Sequence, residues 1–192
     1  SQDMGLTSTL FPKQNCMNIQ KVCYDQINGG EPEISDEQLH VLQVYMQTLA
    51  APRQRNPQDR EIIDGNNLFT NIGCENCHIS TYRTGKHKDH KELSNRIIKP
   101  YSDFLLHDMG PGLDDGVAEG SAKSSEWKTS PLWGIGLVKT VNKHTRFLHD
   151  GRARSIEEAI LWHEGESLNS KKNYINLSAD ERRKILKFLN SL

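Results

Sequence analysis

The string Cys74-Glu75-Asn76-Cys77-His78 constrains this chain more than any other feature of its sequence. Two thiols one helical turn apart are spaced to add to the two vinyl groups of a single haem, and the next side chain then points at the iron. The motif reads as a c-type haem attachment site. Cys74 and Cys77 form the thioethers, and the neutral imidazole of His78 is the proximal ligand. Two other uses of a Cys-x-x-Cys pair compete with this reading. A zinc-binding interaction module would draw on His87 and His90, but the gap between them is shorter than zinc modules use, and residues 83–91 read as a solvated basic loop. A thioredoxin-like dithiol belongs beside a βαβ pattern, and no alternation of strand and helix periods surrounds the motif.

The rest of the composition fits a chain that needs such a group. Its 192 residues are 35% apolar, enough for one domain of ordinary size plus an appendage. Lys and Arg total 24 against 25 for Asp and Glu, so the net charge of −1 gives no long-range field to gather nucleic acid or an anionic membrane. No apolar run approaches the roughly 20 residues of a bilayer span, so no membrane span is expected. Ser1 to Leu10 lacks the charged and apolar blocks of a secretory signal, as expected of a mature protein or a fragment. With 14 Gly, 7 Pro and a mean hydropathy of −0.69, the chain is loop-rich and is not expected to build its core from hydrocarbon alone.

Four helix starts are marked. Ser35-Asp36-Glu37-Gln38 is a capping box ahead of Leu39, Leu42, Tyr45, Met46 and Leu49, and this helix is expected to end near Ala50-Ala51-Pro52. A second helix from Asp59 to Asn71 carries Ile62, Gly65, Leu68 and Phe69 and runs straight into the cysteine pair. Capping boxes at Ser155 and Ser178 open helices of about 9 and 14 residues. Between His78 and Ser155 the chain shows little periodicity, and so long an irregular stretch calls for an internal template, which a haem supplies.

A helix leading into Cys-x-x-Cys-His, an irregular wrap and a C-terminal amphipathic helix resemble the all-α cytochrome c fold. The expected fold class is therefore all-α, with long irregular loops and an N-terminal linking segment. That resemblance implies a close crossing of the helix at 59–71 with the last helix, with Gly65 admitting the partner backbone and Phe188 packing alongside. A narrower resemblance covers nearly the whole chain. Gly65-x-x-Leu68-Phe69-x-x-x-Gly73-Cys74, Pro100-Tyr101-Ser102-Asp103, Leu106-His107-Asp108-Met109-Gly110-Pro111-Gly112 and Phe147-Leu148-His149-Asp150-Gly151-Arg152 are similar to the C-terminal haem domain of the di-haem oxidoreductases, also called thiol oxidoreductases. This family is akin to the di-haem cytochrome c peroxidases. Its members carry two Cys-x-x-Cys-His sites, whereas this sequence has one. The resemblance thus implies that residues 1–56 are the tail of an upstream haem domain plus a bridging helix, and that 57–192 form the haem domain. In the relatives the upstream haem generally reacts with peroxide and the C-terminal haem supplies electrons. The implied function here is electron relay, with peroxidase or oxidase catalysis at an open haem site as the alternative.

The sixth iron ligand separates those two functions. Met109, in a Gly/Pro-rich loop, offers a thioether that raises the reduction potential. His163 lies 14 residues beyond His149, the offset at which the relatives place the second ligand of the C-terminal haem, and the resemblance puts it first. Arg152 is a candidate partner for a haem propionate. Trp127 and Trp133 are candidates for the porphyrin edge. Asp108, Asp114 and Asp115 offer oxygens to calcium without the spacing of an EF-hand. Lys139, Lys143, His144 and Arg146 form a small basic stretch open to an acidic redox partner or to solvent. Covalent haem attachment implies an extracytoplasmic, bacterial periplasmic setting, in which Cys16 and Cys23 are expected to close a disulfide; in a haem-free cytosolic protein they would be free thiols. The expected partners are a redox protein or the upstream haem domain.

Overall fold

The computed structural model describes residues 5–14, 16 and 19–192, which divide into two compact units, Ser1–Ala50 and Ala51–Leu192. In the first unit the Glu33 carboxylate accepts hydrogen bonds from the Thr7 N–H and hydroxyl and from the Gly29 N–H, and these donors hold it below the usual carboxylate range, Gly29 most of all. Cys16 and Cys23 are joined as a disulfide, as the expected compartment implies. Helix α1 (Asp36–Thr48) starts at the expected capping box, with Ser35 and Gln38 each bonding the other's backbone. Its apolar stripe finds no core. Leu42, Tyr45, Met46 and Leu49 are all exposed, and no residue of α1 is buried.

The second unit begins its helices at α2 (Arg60–Asn71), capped by the Asp59 carboxylate. It then makes two small sheets. Strand β1 (Tyr82–Arg83) pairs antiparallel with β2 (Ile97–Ile98), and β3 (Leu106–Asp108) pairs antiparallel with β4 (Glu126–Lys128). Four further helices follow: α3 (Val138–Asn142), α4 (Ile156–Leu161), α5 (Leu168–Ile175) and α6 (Ala179–Ser191). These sheets overturn the expectation of an all-α fold, and the architecture is mixed α and β. The physical reason is that strands of two or three residues carry no readable period. They exist through their partners, fourteen or more residues away. Among the described residues, no helix is long and apolar enough to cross a membrane.

The core lies where α2 crosses α6. A side chain at Gly65 would collide with the carbonyl of Lys184 and the Cβ of Phe188, so only glycine lets the two backbones approach. Phe69 and Phe188 meet edge to face at 5.4 Å between centroids, and Tyr101 packs on both. Ile62, Ile185 and Leu189 complete this buried cluster. Gly136 makes a second close approach, to the Asn190 carbonyl and the Arg55 guanidinium. The N-terminal end of α2 is tied to α6 by charge: Lys187 bridges Asp59 and Glu61, both at 2.7 Å, and Arg183 reaches Glu61 at 2.6 Å.

Arg183 and then Lys187 hold the Glu61 carboxyl down to about 2, from an ordinary value near 4.5. A depressed carboxyl stabilises the fold above its unfolded pKa and loses that contribution as pH falls through the folded one. The melting temperature of the protein should therefore drop between pH 4.5 and 2, and less steeply in Glu61→Gln. The cluster faces solvent, so 1 M salt should narrow the difference between the two proteins. Parallel curves at low salt would rule the cluster out as the source.

Candidate functional site

Helix α2 delivers the cysteine motif to the core. After its cap at Ile72, Gly73 takes φ 92°, a left-handed turn that glycine adopts freely, and Cys74–Asn76 form a single 3-10 turn. The N–H of His78 donates to the Cys74 carbonyl at 3.0 Å, which keeps Cys74, Cys77 and His78 on one tight turn. A returning segment braces it: the Asp103 N–H donates to the Cys77 carbonyl at 2.7 Å and the Ser102 N–H to Ile79 at 3.1 Å. His78 Nδ1–H donates to the Tyr101 carbonyl at 2.8 Å, and Tyr101 itself takes φ 52°, an uncommon backbone state for a bulky residue. Burial pushes the Cys74 thiol up to about 12 and raises Cys77 as well. Both thiols are therefore protonated at neutral pH, unlike the depressed thiols of dithiol redox motifs.

His163 follows α4, where Trp162 closes the helix. Its Nδ1–H donates to the Ala159 carbonyl at 2.7 Å, one turn back. A carbonyl can only accept, so in both His78 and His163 the proton sits on Nδ1 and Nε2 keeps its lone pair. Burial favours the neutral form of each. It pushes His78 down to about 4 and lowers His163, against the opposing pull of their carbonyl partners. The two rings are 6.5 Å apart between centroids and inclined at 46°. Imidazoles bonded to opposite sides of one metal ion, with bonds of about 2.0–2.1 Å and about 1.1 Å from nitrogen to ring centre, would stand about 6.3 Å apart. The observed separation is close to that value.

Both rings border a cavity of about 670 Å³, within the range of cofactor sites. Its walls are apolar where Leu132, Phe147, Ile156 and Leu189 line it, and Arg146 and Lys171 add positive charge. A flat apolar macrocycle with anionic edge groups suits that combination. Met109 borders the same cavity, and its sulfur takes a long contact of 3.9 Å from the Ser167 hydroxyl.

The turn carrying His163 is locked by a constellation that sequence reasoning left without a role. Any side chain at Gly165, at φ 54°, would collide with the Asp108 carbonyl. Glu166 accepts from the Asp108 N–H at 2.9 Å and from His107 Nδ1–H at 2.8 Å, and His107 Nε2–H donates to Asp103 at 2.7 Å. With a carboxylate on each nitrogen, first of all Glu166, His107 is raised above the ordinary range. The bracket of two carboxylates favours the doubly protonated ring, which has no lone pair to offer, the opposite of His78 and His163. The four-residue step from Asp103 to His107 was legible. Glu166, 59 residues beyond His107, was not.

Other expected residues are distributed unevenly. Trp133 borders the cavity. Trp127 donates its indole N–H to the Leu113 carbonyl at 2.7 Å and stacks on His149, so that hydrogen is already engaged. Arg152 borders the cavity, but its guanidinium pairs with Asp150, reaches the Gly112 carbonyl and lies over the Trp162 ring. Arg146, read above as part of a basic stretch open to a redox partner or to solvent, borders the cavity and makes no side-chain ion pair among the described residues. Asp108, Asp114 and Asp115 each accept a backbone N–H two residues on, closing turns rather than converging as a calcium cage. The His87 and His90 rings lie 5.0 Å apart, tilted at 35°, and His87 Nδ1 accepts two backbone hydrogens. Among the described residues, the group of ligand-type side chains close enough to share an ion is Cys77, Asp103 and His107, without the histidine pair of the zinc reading.

The family model described as "Di-haem oxidoreductase, putative peroxidase" matches residues 2–192. No curated protein and no solved structure matches the chain.

Proposed function

Because the chain belongs to the di-haem oxidoreductase family, we propose that residues 57–192 hold one haem c, thioether-linked at Cys74 and Cys77, and pass single electrons through it. The observation that carries this reading is the pair of buried imidazoles, His78 and His163, 6.5 Å apart between ring centres at the edge of one cavity. When bound, the haem iron supplies a one-electron ferric/ferrous couple. The protein's part is to fix both ligands in advance. Carbonyls of Tyr101 and Ala159 hold the two rings in the ligating tautomer, as outer partners of metal-bound histidines do. His107, bracketed by Asp103 and Glu166, pins the His163 turn to β3. The cationic group of Arg146 suits a propionate, with Lys171 and Arg152 available if they exchange Glu164 and Asp150 for one. Trp133 covers the porphyrin edge.

Ligation by His163 would leave the iron without an exchangeable site and at lower potential than a His/Met pair. This favours relay over peroxide chemistry. Residues 1–56 are read as a linking segment, and the electron donor or acceptor as a redox protein or a further haem domain. The setting is extracytoplasmic, a reading supported by the Cys16–Cys23 disulfide.

The test uses protein made with c-type maturation machinery. The ferric spectrum should be low-spin in the parent and in Met109→Ala, and high-spin with newly gained cyanide binding in His163→Ala. A high-spin Met109→Ala with an unchanged His163→Ala would transfer the ligand to Met109. A parent spectrum already perturbed by peroxide would replace the relay with a peroxidase.

A further inference from the structure

Trp133 also borders a second cavity, of about 400 Å³. Tyr101, whose carbonyl accepts the His78 proton, borders it too. Ile97 and Ile98 of β2 provide apolar wall, and Gly134, at φ 75°, lets Pro52 pack within 3.2 Å of where its side chain would begin. Arg53 and Lys99 sit at the rim, both exposed. Neither cation forms an ion pair among the described residues, and no acidic side chain lines the cavity. An aromatic and aliphatic cleft, small by the standard of ligand sites and edged with two unneutralised cations, selects a planar aromatic carrying an anionic group.

We propose that this cavity binds a planar aromatic anion of the quinone class and that Trp133 carries electrons between it and the haem cavity. In that step the hydroquinone form loses one electron through the indole to ferric iron, which becomes ferrous, and releases one proton to water as it becomes a radical. The electron step rests on the haem reading above, whereas the binding does not.

Anthraquinone-2-sulfonate is the probe. Equilibrium dialysis against the full chain should give one saturable site, weakened about tenfold or more by Arg53→Glu with Lys99→Glu, since reversing both charges turns attraction into repulsion. Ile98→Trp, which fills the cleft, should abolish binding with the far-ultraviolet spectrum of the parent retained. Affinity unchanged in both variants, or no saturable site, overturns the binding proposal whether or not the protein carries haem. Anaerobically, the reduced probe should reduce the ferric haem in a fast, saturable phase. That phase should be lost in Trp133→Phe, whereas dithionite should still reduce the haem of the variant. Its persistence at saturating probe would overturn the relay role of Trp133.

Discussion

Replacing Cys74 and Cys77 together by alanine is expected to return a colourless chain whose mass is that of the polypeptide alone, and whose second unit melts at a markedly lower temperature. The reason is the cavity those thiols border, about 670 Å³ in volume. At ~24 cal/mol per Å³, a void of this size left dry would cost about 16 kcal/mol, beyond the ~5–15 kcal/mol that holds a domain together. Water entering the open side reduces that cost but leaves Leu132, Phe147 and Ile160 wetted. We expect the melting temperature to fall by about 10 °C or more, which corresponds to roughly 3–5 kcal/mol for a unit of this size. Calorimetry with intact-mass measurement checks both halves. A variant that still carries covalent pigment after denaturation would show that attachment lies elsewhere.

Gly65→Ala should be nearly as damaging, although alanine is the better helix former by about 1 kcal/mol. The added methyl would lie inside contact distance of the Lys184 carbonyl and of Phe188, both on α6. Neither is a flexible tip that can swing away, so α2 and α6 must separate along the aromatic cluster that supports His78. Overpacking a core costs ~1–3 kcal/mol, and a clash with backbone belongs at or above the upper end. Asn67→Ala, on the exposed side of the same helix, is the control and should hold or slightly raise stability. Equal melting temperatures for Gly65→Ala and the parent would mean that the helices do not cross at this residue.

Local signals were readable where a few neighbouring residues decide the outcome. Ser35 and Ser178 close their capping boxes in the structure, and Asp59 caps α2 at the expected place. At Ser155 the hydroxyl takes the Glu158 N–H, but Glu158 turns to Arg154 instead of closing the box, and α4 stops at six residues where about nine were expected. Helix α5 escaped notice because no side chain caps its start, and the two small sheets because short strands have no period. The first unit teaches a different lesson. The stripe of Leu42, Tyr45 and Met46 has helical spacing and forms a helix, yet it remains exposed, because periodicity specifies a face and not what covers it.

The sequence by itself determined where the cysteine motif lies and where the helices capped by Ser35, Asp59 and Ser178 begin, since each depends on spacing within a turn or two. Only the tertiary structure decided which imidazoles keep a lone pair and which cations stay free. His78 and His163 each give one proton to a carbonyl, whereas His107 gives both of its protons to carboxylates. Arg152 is tied to Asp150 while Arg146 is not. Those differences are set by partners brought together from across the chain, and no count of residue types or local pattern records which groups folding will place within hydrogen-bond reach.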